Sequence, residues 1–262
     1  MSATATELAE RLFAALEAGE PIRPLTEADP ELDVAGAYQV QRELLALHAG
    51  TGRDVAGRKI GLTSVAIQRQ LGVSEPDFGF ILDSHVFRSG QTLSCSELKL
   101  IAPRLEAELA FVLDRALAGP GVTQDDVLAA TREVVPVFEV LDSRIADWKI
   151  KLPDTIADNA SGFGTVLGDG GVAPDGLDLA TVGLCIERDG DLLATAAGAA
   201  VMGHPARAVA WLANTLGEFG EEVPAGVPVL SGSFTAAFDA LPGTYTARFG
   251  EGIGSVEVTI DG

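Results

Sequence analysis

The chain has 262 residues, of which 47% are hydrophobic and 21% are charged, and its formal net charge is -20. This length and composition predict a globular protein with a large core and exclude a disordered one. The sequence contains no run of about 18 apolar residues, so no transmembrane helix is predicted. The N-terminus lacks the pattern of a signal peptide. We therefore expect a cytoplasmic protein that does not act at a membrane. The absence of a basic cluster argues against nucleic-acid binding.

The first fifty residues predict two amphipathic helices. A stripe of leucines at helical spacing precedes Gly19, a residue that commonly ends a helix. Asp33 can cap a second helix that ends near residue 50. We assign residues 1–56 to an N-terminal helical segment and residues 57–262 to a second domain, although the whole chain can also behave as one domain.

The following segment predicts short elements separated by glycines and prolines. Residues 57–63 have the pattern of a strand. Residues 64–72 predict a short helix that begins at a serine cap and ends at a glycine. Residues 76–79, Pro-Asp-Phe-Gly, have the composition of a turn.

Strand patterns dominate the rest of the chain. Thr123 can cap a helix that continues through Val134, and Pro205 can begin another helix. Strands are predicted at 103–113, 134–141, 184–187, 192–195, 227–230, 245–249 and 255–260. Because helices come early and strands late, without regular alternation, we predict an α+β fold. The sequence lacks the glycine-rich motifs that bind nucleotides.

Three carboxylates lie within two of the apolar strands. Glu106 and Glu108 are two positions apart, so their side chains share one face of a strand, and Glu139 is flanked by apolar residues. Buried carboxylates are costly unless a cation offsets them, and oxygen-only sites suit Mg²⁺ or Mn²⁺. The alternatives are a strand with one wet face, a neutral acid at Glu139 and a salt bridge from Glu139 to Arg144.

Other residues are weaker candidates when each is considered alone. Lys59 could act as a general acid or base if buried, although a single lysine is usually on the surface. Asp77 would ordinarily be a turn residue. The polar segment 154–162 and the serines after residue 230 could enclose a substrate or form ordinary connecting loops.

Several segments in register resemble one family over nearly the whole chain. They are GRKIGLT at 57–63, LGVSEPDFG at 71–79, RLEAE at 104–108, DSRIADWK at 142–149 and ADNAS at 157–161. Together they resemble the 2-oxopent-4-enoate hydratases of the hydratase/decarboxylase family, within the fumarylacetoacetate hydrolase superfamily. The resemblance implies a curled mixed β-sheet core with helices outside. It also implies a divalent metal, Mg²⁺ or Mn²⁺, held by Glu106, Glu108 and Glu139, so that residues 57–262 are expected to form a metal-dependent catalytic domain.

The resemblance also implies roles for single residues. The family's essential lysine falls on Lys59, and the acidic partner of the hydratases falls on Asp77. Lys59 would stabilise the developing enolate, and Asp77 would orient or deprotonate the attacking water. Ser161, Ser233 and Leu62 are candidate substrate-binding residues.

Two reactions occur in this family. The hydratases convert 2-hydroxypenta-2,4-dienoate to 4-hydroxy-2-oxopentanoate in the meta-cleavage degradation of aromatic compounds, and the decarboxylases act on 4-oxalocrotonate. Asp77 favours hydration over decarboxylation. Decarboxylation and the hydration of 2-hydroxyhexa-2,4-dienoate remain alternatives, and a metal-binding protein without activity is a third. The resemblance further implies a homo-oligomer that can associate with the pathway decarboxylase.

Overall fold

The computed structural model describes residues 3–64, 68–69 and 73–262. Two mixed β-sheets form its centre, and helices pack outside them. The predicted α+β class and the curled mixed sheet are confirmed. No helix in these three stretches has both the length and the apolar character needed to cross a bilayer.

The helices and strands are numbered in chain order over the described residues. The helices are α1 Ala5–Ala18, α2 Leu25–Ala28, α3 Val34–Gly50, α4 Gln124–Ala130, α5 Leu152–Ala157 and α6 Pro205–Glu218. The strands are β1 Val55–Gly61, β2 Asp77–Leu82, β3 Val86–Arg88, β4 Thr92–Ser94, β5 Arg104–Leu113, β6 Thr131–Leu141, β7 Gly162–Leu167, β8 Gly183–Arg188, β9 Asp191–Ala197, β10 Pro228–Leu230, β11 Phe238–Asp239, β12 Gly243–Phe249 and β13 Gly254–Asp261.

The N-terminal helices begin and end at the residues that the sequence indicates. Thr4 and Glu7 form a reciprocal capping box at α1, and Gly19 ends that helix with a φ of 69°. Asp33 accepts a hydrogen bond from the backbone amide of Gly36 at the start of α3. The buried faces of α1 and α3 pack on apolar side chains of β2 and α5. The division of the chain at residue 56 stays a prediction.

The larger sheet has the order β2-β1-β10-β5-β6-β7-β3, with β11 added beside β5. Adjacent strands lie about 4.8 Å apart, so β1 and β6 would be about 14 Å apart in a flat sheet. The side chains of Lys59 on β1 and Glu139 on β6 nevertheless meet at 3.1 Å. Strands β2 and β7 also contact each other. The sheet is therefore curled, and it has an inner and an outer face.

The two faces of β5 separate the core from the candidate site. Leu105, Leu109 and Phe111 point to the outer face, where they join the main core with the second sheet and α6. The alternate residues Glu106 and Glu108 point to the inner face. Further along the same face lies an apolar cluster, whose buried members are Ile81, Ala110, Val112, Val135, Val137 and Leu230. The sheet thus has a polar end and an apolar end on one face.

Two predicted elements are wrong. Residues 76–79 do not form a turn, because Asp77 begins β2, a fully buried strand that pairs with β1. The helix after Thr123 ends at Ala130 and does not reach Val134, because the β-branched run that follows pairs with β5. The helix predicted at 64–72 lies largely outside the described residues.

Candidate active site

Three carboxylates meet at the polar end of the inner face. Glu106 and Glu108 project from the same side of β5, and Glu139 on β6 lies directly opposite Glu106 in the register of the two strands. One oxygen of each carboxylate lies within 4.8 Å of those of the other two. Glu108 and Glu139 are buried, and Glu106 is half-buried. The structure brings these three residues together, and their burial makes the wet-face alternative wrong. Their role as metal ligands stays a prediction.

The carboxylate cluster formed by Glu106, Glu108 and Glu139 is unfavourable without a cation. Burial, followed by the charge of Glu139, raises the pKa of Glu106 to about 8 despite the opposing effect of Lys59. Burial likewise raises the pKa of Glu108 well above its ordinary value. Oxygen Oε2 of Glu108 accepts a hydrogen bond of 2.7 Å from the amide of Gly232. Its other oxygen, and Oε2 of Glu139, have no hydrogen-bond partner among the described residues. A set of oxygen ligands with free lone pairs fits a hard divalent cation.

Lys59 extends from β1 into this end of the curl. Its Nζ lies 3.1 Å from Oε1 of Glu139 and donates a 3.0 Å hydrogen bond to the carbonyl of Ala160. Burial acts to lower the pKa of Lys59, but Glu139 and then Asp77 outweigh it, so the pKa lies above its ordinary value. The surface alternative for Lys59 is wrong, because the residue is 3% exposed.

Asp77 reaches the same place from the first position of β2. It pairs with Gly61 across the two strands. A Cβ atom at Gly61 would lie 2.2 Å from Oδ1 of Asp77 and 3.2 Å from Nζ of Lys59. The missing side chain therefore provides the space in which carboxylate and ammonium converge. Burial raises the pKa of Asp77 more than Lys59 lowers it, and its Oδ1 has no hydrogen-bond partner in the described part of the chain.

The comparisons with known proteins agree with this geometry. The chain is 51% identical over 214 residues to a 2-hydroxypent-2,4-dienoate hydratase of Pseudomonas putida, covering 82% of this chain and 96% of the relative. It is 45% identical to a 2-hydroxyhexa-2,4-dienoate hydratase of Comamonas testosteroni, covering 95% of this chain and 94% of the relative. No protein-family model matches it.

A solved structure extends the similarity to the whole fold. The 4-oxalocrotonate decarboxylase of Pseudomonas putida G7, complexed with magnesium and adipate, superimposes with a TM-score of 0.93 at 39% identity. The match covers 98% of this chain and 97% of that one. The chain belongs to the hydratase/decarboxylase family of the fumarylacetoacetate hydrolase superfamily. Membership makes it an enzyme and confirms the resemblance predicted from the linked motifs.

The three candidate substrate-binding residues of this family member differ in their surroundings. Ser161 is buried, and its hydroxyl lies 3.2 Å from that of Thr155. The hydroxyl of Ser233 accepts a 3.3 Å hydrogen bond from the amide of Thr235. Leu62, directly after β1, has a φ of 57°. No substrate role is tested for these three residues, so each stays a prediction.

One charged pair differs from the sequence-based expectation. Arg144 does not bind Glu139; it donates from Nε to the buried carboxylate of Asp158. Residues 154–157 of the segment 154–162 belong to helix α5, and the whole segment is buried, so it is not an ordinary exposed connecting loop. Its part in enclosing a substrate stays a prediction. Sequence reasoning missed the amide of Gly232 and the carbonyl of Ala160, since backbone groups leave no signal in residue types.

Proposed function

We propose that the chain is a metal-dependent hydratase that adds water to 2-hydroxypenta-2,4-dienoate and yields 4-hydroxy-2-oxopentanoate. The observation that carries this proposal is Asp77, a buried carboxylate with a free oxygen, facing Lys59 beside the carboxylate cluster. The relatives that are 51% and 45% identical, both named as dienoate hydratases, support the same reaction class. A five-carbon substrate is the simplest member of that class.

Glu106, Glu108 and Glu139 would hold Mg²⁺ or Mn²⁺. When bound, such an ion supplies a Lewis acid that polarises the oxygens of a 2-oxo acid and offsets the negative charge of the site. The free oxygens of Glu108 and Glu139 support this assignment. The magnesium in the decarboxylase of similar fold supports it independently.

Lys59 stabilises the negative charge that develops on the C2 oxygen of the substrate. Its raised pKa keeps the ammonium protonated at neutral pH, so it acts as a fixed positive charge and hydrogen-bond donor. Glu139 and the carbonyl of Ala160 orient two of its three N–H groups. The third is left to face the substrate.

Asp77 orients and deprotonates the water that attacks C4. The dienol first becomes the 2-oxo-3-enoate, because the proton of its C2 hydroxyl leaves and C5 gains a proton. In that form C4 is conjugated with the 2-oxo group and is therefore electrophilic. Burial raises the pKa of Asp77, which makes its carboxylate a stronger base, while Lys59 favours its ionised form. Asp77 then returns the proton taken from water to C3 of the resulting enolate, and this step completes the hydration.

Decarboxylation of 4-oxalocrotonate is the competing function. The similarity to a solved decarboxylase favours it, since the fold and the carboxylate cluster suit both reactions. Asp77 argues against it for two reasons. Decarboxylation needs no base to activate water, and a buried carboxylate would repel the second carboxylate of that substrate.

A six-carbon dienoate differs from the five-carbon one by one methylene, a difference worth about 1–3 kcal/mol in a pocket.

Initial rates on each substrate test this proposal. The purified chain is offered 2-hydroxypenta-2,4-dienoate or 4-oxalocrotonate, with Mg²⁺ or with EDTA, and loss of the conjugated chromophore is followed by ultraviolet absorbance. We expect Mg²⁺-dependent loss of the dienoate and little reaction with 4-oxalocrotonate. Turnover of 4-oxalocrotonate with the dienoate untouched would replace the hydratase function by the decarboxylase one.

The remaining expectations concern the setting of the enzyme. It works in the cytoplasm, in the meta-cleavage degradation of aromatic compounds, as a homo-oligomer that can associate with the pathway decarboxylase. Sedimentation of the chain alone and with the decarboxylase tests both assemblies.

A further inference from the structure

The turn that leads from α5 into β7 has an unusual backbone. Asn159, Ala160 and Ser161 have φ angles of 56°, 50° and 52° in succession. This left-handed region is costly for residues that carry a Cβ atom, and it is rarely occupied by three in a row. Such a conformation persists only when the surrounding structure holds it, and it concentrates at functional sites.

The middle residue of the turn contacts the proposed catalytic lysine. The carbonyl of Ala160 accepts the 3.0 Å hydrogen bond from Nζ of Lys59. A lysine ammonium is a point charge on a flexible chain, and it has no preferred direction of its own. The direction of this ammonium is therefore fixed by its acceptors, Glu139 and the Ala160 carbonyl.

Arg144 holds the turn from behind. It is buried, and its guanidinium donates to the carboxylate and the carbonyl of Asp158, to the carbonyl of Asp142 and, at 3.0 Å, to the carbonyl of Gly162. The second carboxylate oxygen of Asp158 accepts from the hydroxyl of Ser143 at 3.0 Å and from the amide of Arg144 at 2.9 Å. One side chain thus binds the chain on both sides of the strained residues.

Asn159 ties the same turn to strand β2. Its side-chain amide accepts from the amide of Phe80 at 2.8 Å and donates to the carbonyl of Phe80 at 2.9 Å. A Cβ atom at Gly79 would lie 2.7 Å from the Asn159 carbonyl oxygen, so the close approach requires glycine there. The turn is consequently fixed to the strand that carries Asp77.

We propose that Arg144 is a positioning residue, which acts through the strained Asn159–Ser161 turn to direct the Lys59 ammonium at the reacting substrate. This inference rests on the proposed function for its meaning in catalysis, but its structural content does not. The competing explanation is a buried ion pair of Arg144 and Asp158 that only stabilises the fold. The two explanations differ in what happens when the turn is loosened and the ion pair is kept.

Ala160→Gly loosens the turn and keeps the ion pair of Arg144 and Asp158. Glycine adopts the left-handed region without cost and also allows the turn to leave it. We expect the variant to melt no lower than the wild type and to bind Mg²⁺ equally well. Its kcat should fall by at least about tenfold, since small misplacements of a catalytic group cost up to about 10² in rate. Glu251→Gly is the matched control: Glu251 is exposed, has a φ of 55° and lies in a remote turn. It should leave kcat unchanged.

Arg144→Lys tests whether the hydrogen bonds of the guanidinium hold the turn in place. It retains the positive charge for Asp158 but cannot reach four acceptors with one ammonium. We expect a folded protein with intact Mg²⁺ binding and a loss of kcat similar to that of Ala160→Gly. A loss of kcat that only follows the unfolded fraction would favour the purely stabilising role and overturn the proposal.

A readout without turnover separates this inference from the proposed function. In protein with isotopically labelled lysine, the Lys59 ammonium gives a nuclear magnetic resonance signal that Lys59→Met removes. We expect slow hydrogen exchange of that ammonium in the wild type and exchange at least about tenfold faster in Ala160→Gly, as the fixed acceptor is lost. Unchanged exchange in Ala160→Gly overturns the positioning role, whatever reaction the enzyme catalyses. Faster exchange in an enzyme that hydrates no dienoate supports the positioning role and refutes only the proposed function.

Discussion

The inner face of the curled sheet has two ends that are built from the same strands and contrast in chemistry. On β5, Glu106 and Glu108 are followed on the same face by Ala110 and Val112. On β6, Val137 precedes Glu139 on that face in the same way. At the apolar end, aliphatic side chains cover the inner face and are almost fully buried. At the polar end, charges of both signs converge and several oxygens lack a partner among the described residues.

This contrast shows that residues for stability and residues for function occupy different ends of the same strands. Burial of the apolar end contributes favourable free energy, because apolar surface leaves water. Burial of the carboxylate cluster costs free energy unless a cation joins it. The free energy gained by burying the apolar end therefore offsets the cost of burying the carboxylate cluster at the polar end. Substitutions at the two ends should have opposite profiles, with activity lost at one and stability lost at the other.

The largest expected effect comes from Glu108→Gln. The amide can still accept from Gly232, but it removes one anionic ligand. We expect Mg²⁺ affinity to collapse, and activity at ordinary Mg²⁺ concentrations to be lost with it. This loss comes in addition to the fall in kcat of on the order of 10²–10³ that one missing electrostatic contact to the reacting groups causes. Calorimetric Mg²⁺ titration and the hydration assay measure both. The metal-free variant should melt no lower than the metal-free wild type, and Glu97→Gln, at an exposed position, is the control. Intact Mg²⁺ binding would contradict the ligand assignment.

Asp77→Asn should have the next effect, and only on chemistry. Loss of the base lowers kcat by about 10²–10⁴, while the carboxylate cluster and its Mg²⁺ affinity stay intact. Steady-state kinetics at saturating Mg²⁺ measure the change. An unchanged kcat would remove Asp77 from the mechanism and with it the main argument for hydration.

Ile81→Ala tests the apolar end four residues further along the same strand. Ile81 is 2% exposed in the apolar cluster, so we expect the free energy of unfolding to fall by about 2–5 kcal/mol, with about 0.5–1.5 kcal/mol for the milder Ile81→Val. Urea denaturation gives both values. The kcat per folded molecule and the Mg²⁺ affinity should not change. A large loss of Mg²⁺ affinity would show that the two ends are not separable.

The smallest effect is a pH dependence confined to the metal-free protein. The pKa of Glu106 is about 8 in the folded chain and ordinarily 4.5, so between these values the folded state binds more protons than the unfolded one. The stabilisation that protonated Glu106 contributes to the folded, metal-free protein is therefore fully present below about pH 4.5. It is lost as the pH rises through about 8. We expect the melting temperature in EDTA to fall from pH 5 to pH 9 by more than it does in Mg²⁺. A steeper fall in Mg²⁺ than in EDTA would contradict the cluster's electrostatics.

The sequence was informative where a short pattern decides the structure. Alternation within an apolar strand was enough to put Glu106 and Glu108 on one face, and the buried setting of Glu139 was visible from its neighbours. Local composition misled at Asp77, because Pro-Asp-Phe-Gly suits a turn and only pairing with β1 makes it a strand. The partner of Arg144 could not be found, since Asp158 reaches it through the folding of a strained turn that no residue type encodes.

The measurement that tests the central claim most directly is product identification by mass spectrometry. An equimolar mixture of 2-hydroxypenta-2,4-dienoate and 4-oxalocrotonate is treated with the enzyme in Mg²⁺ and, separately, in EDTA. We expect the dienoate to gain the mass of one water in Mg²⁺, 4-oxalocrotonate to persist, and EDTA to prevent the reaction. Loss of CO₂ from 4-oxalocrotonate with no hydration of the dienoate, or equal hydration in EDTA, would contradict it.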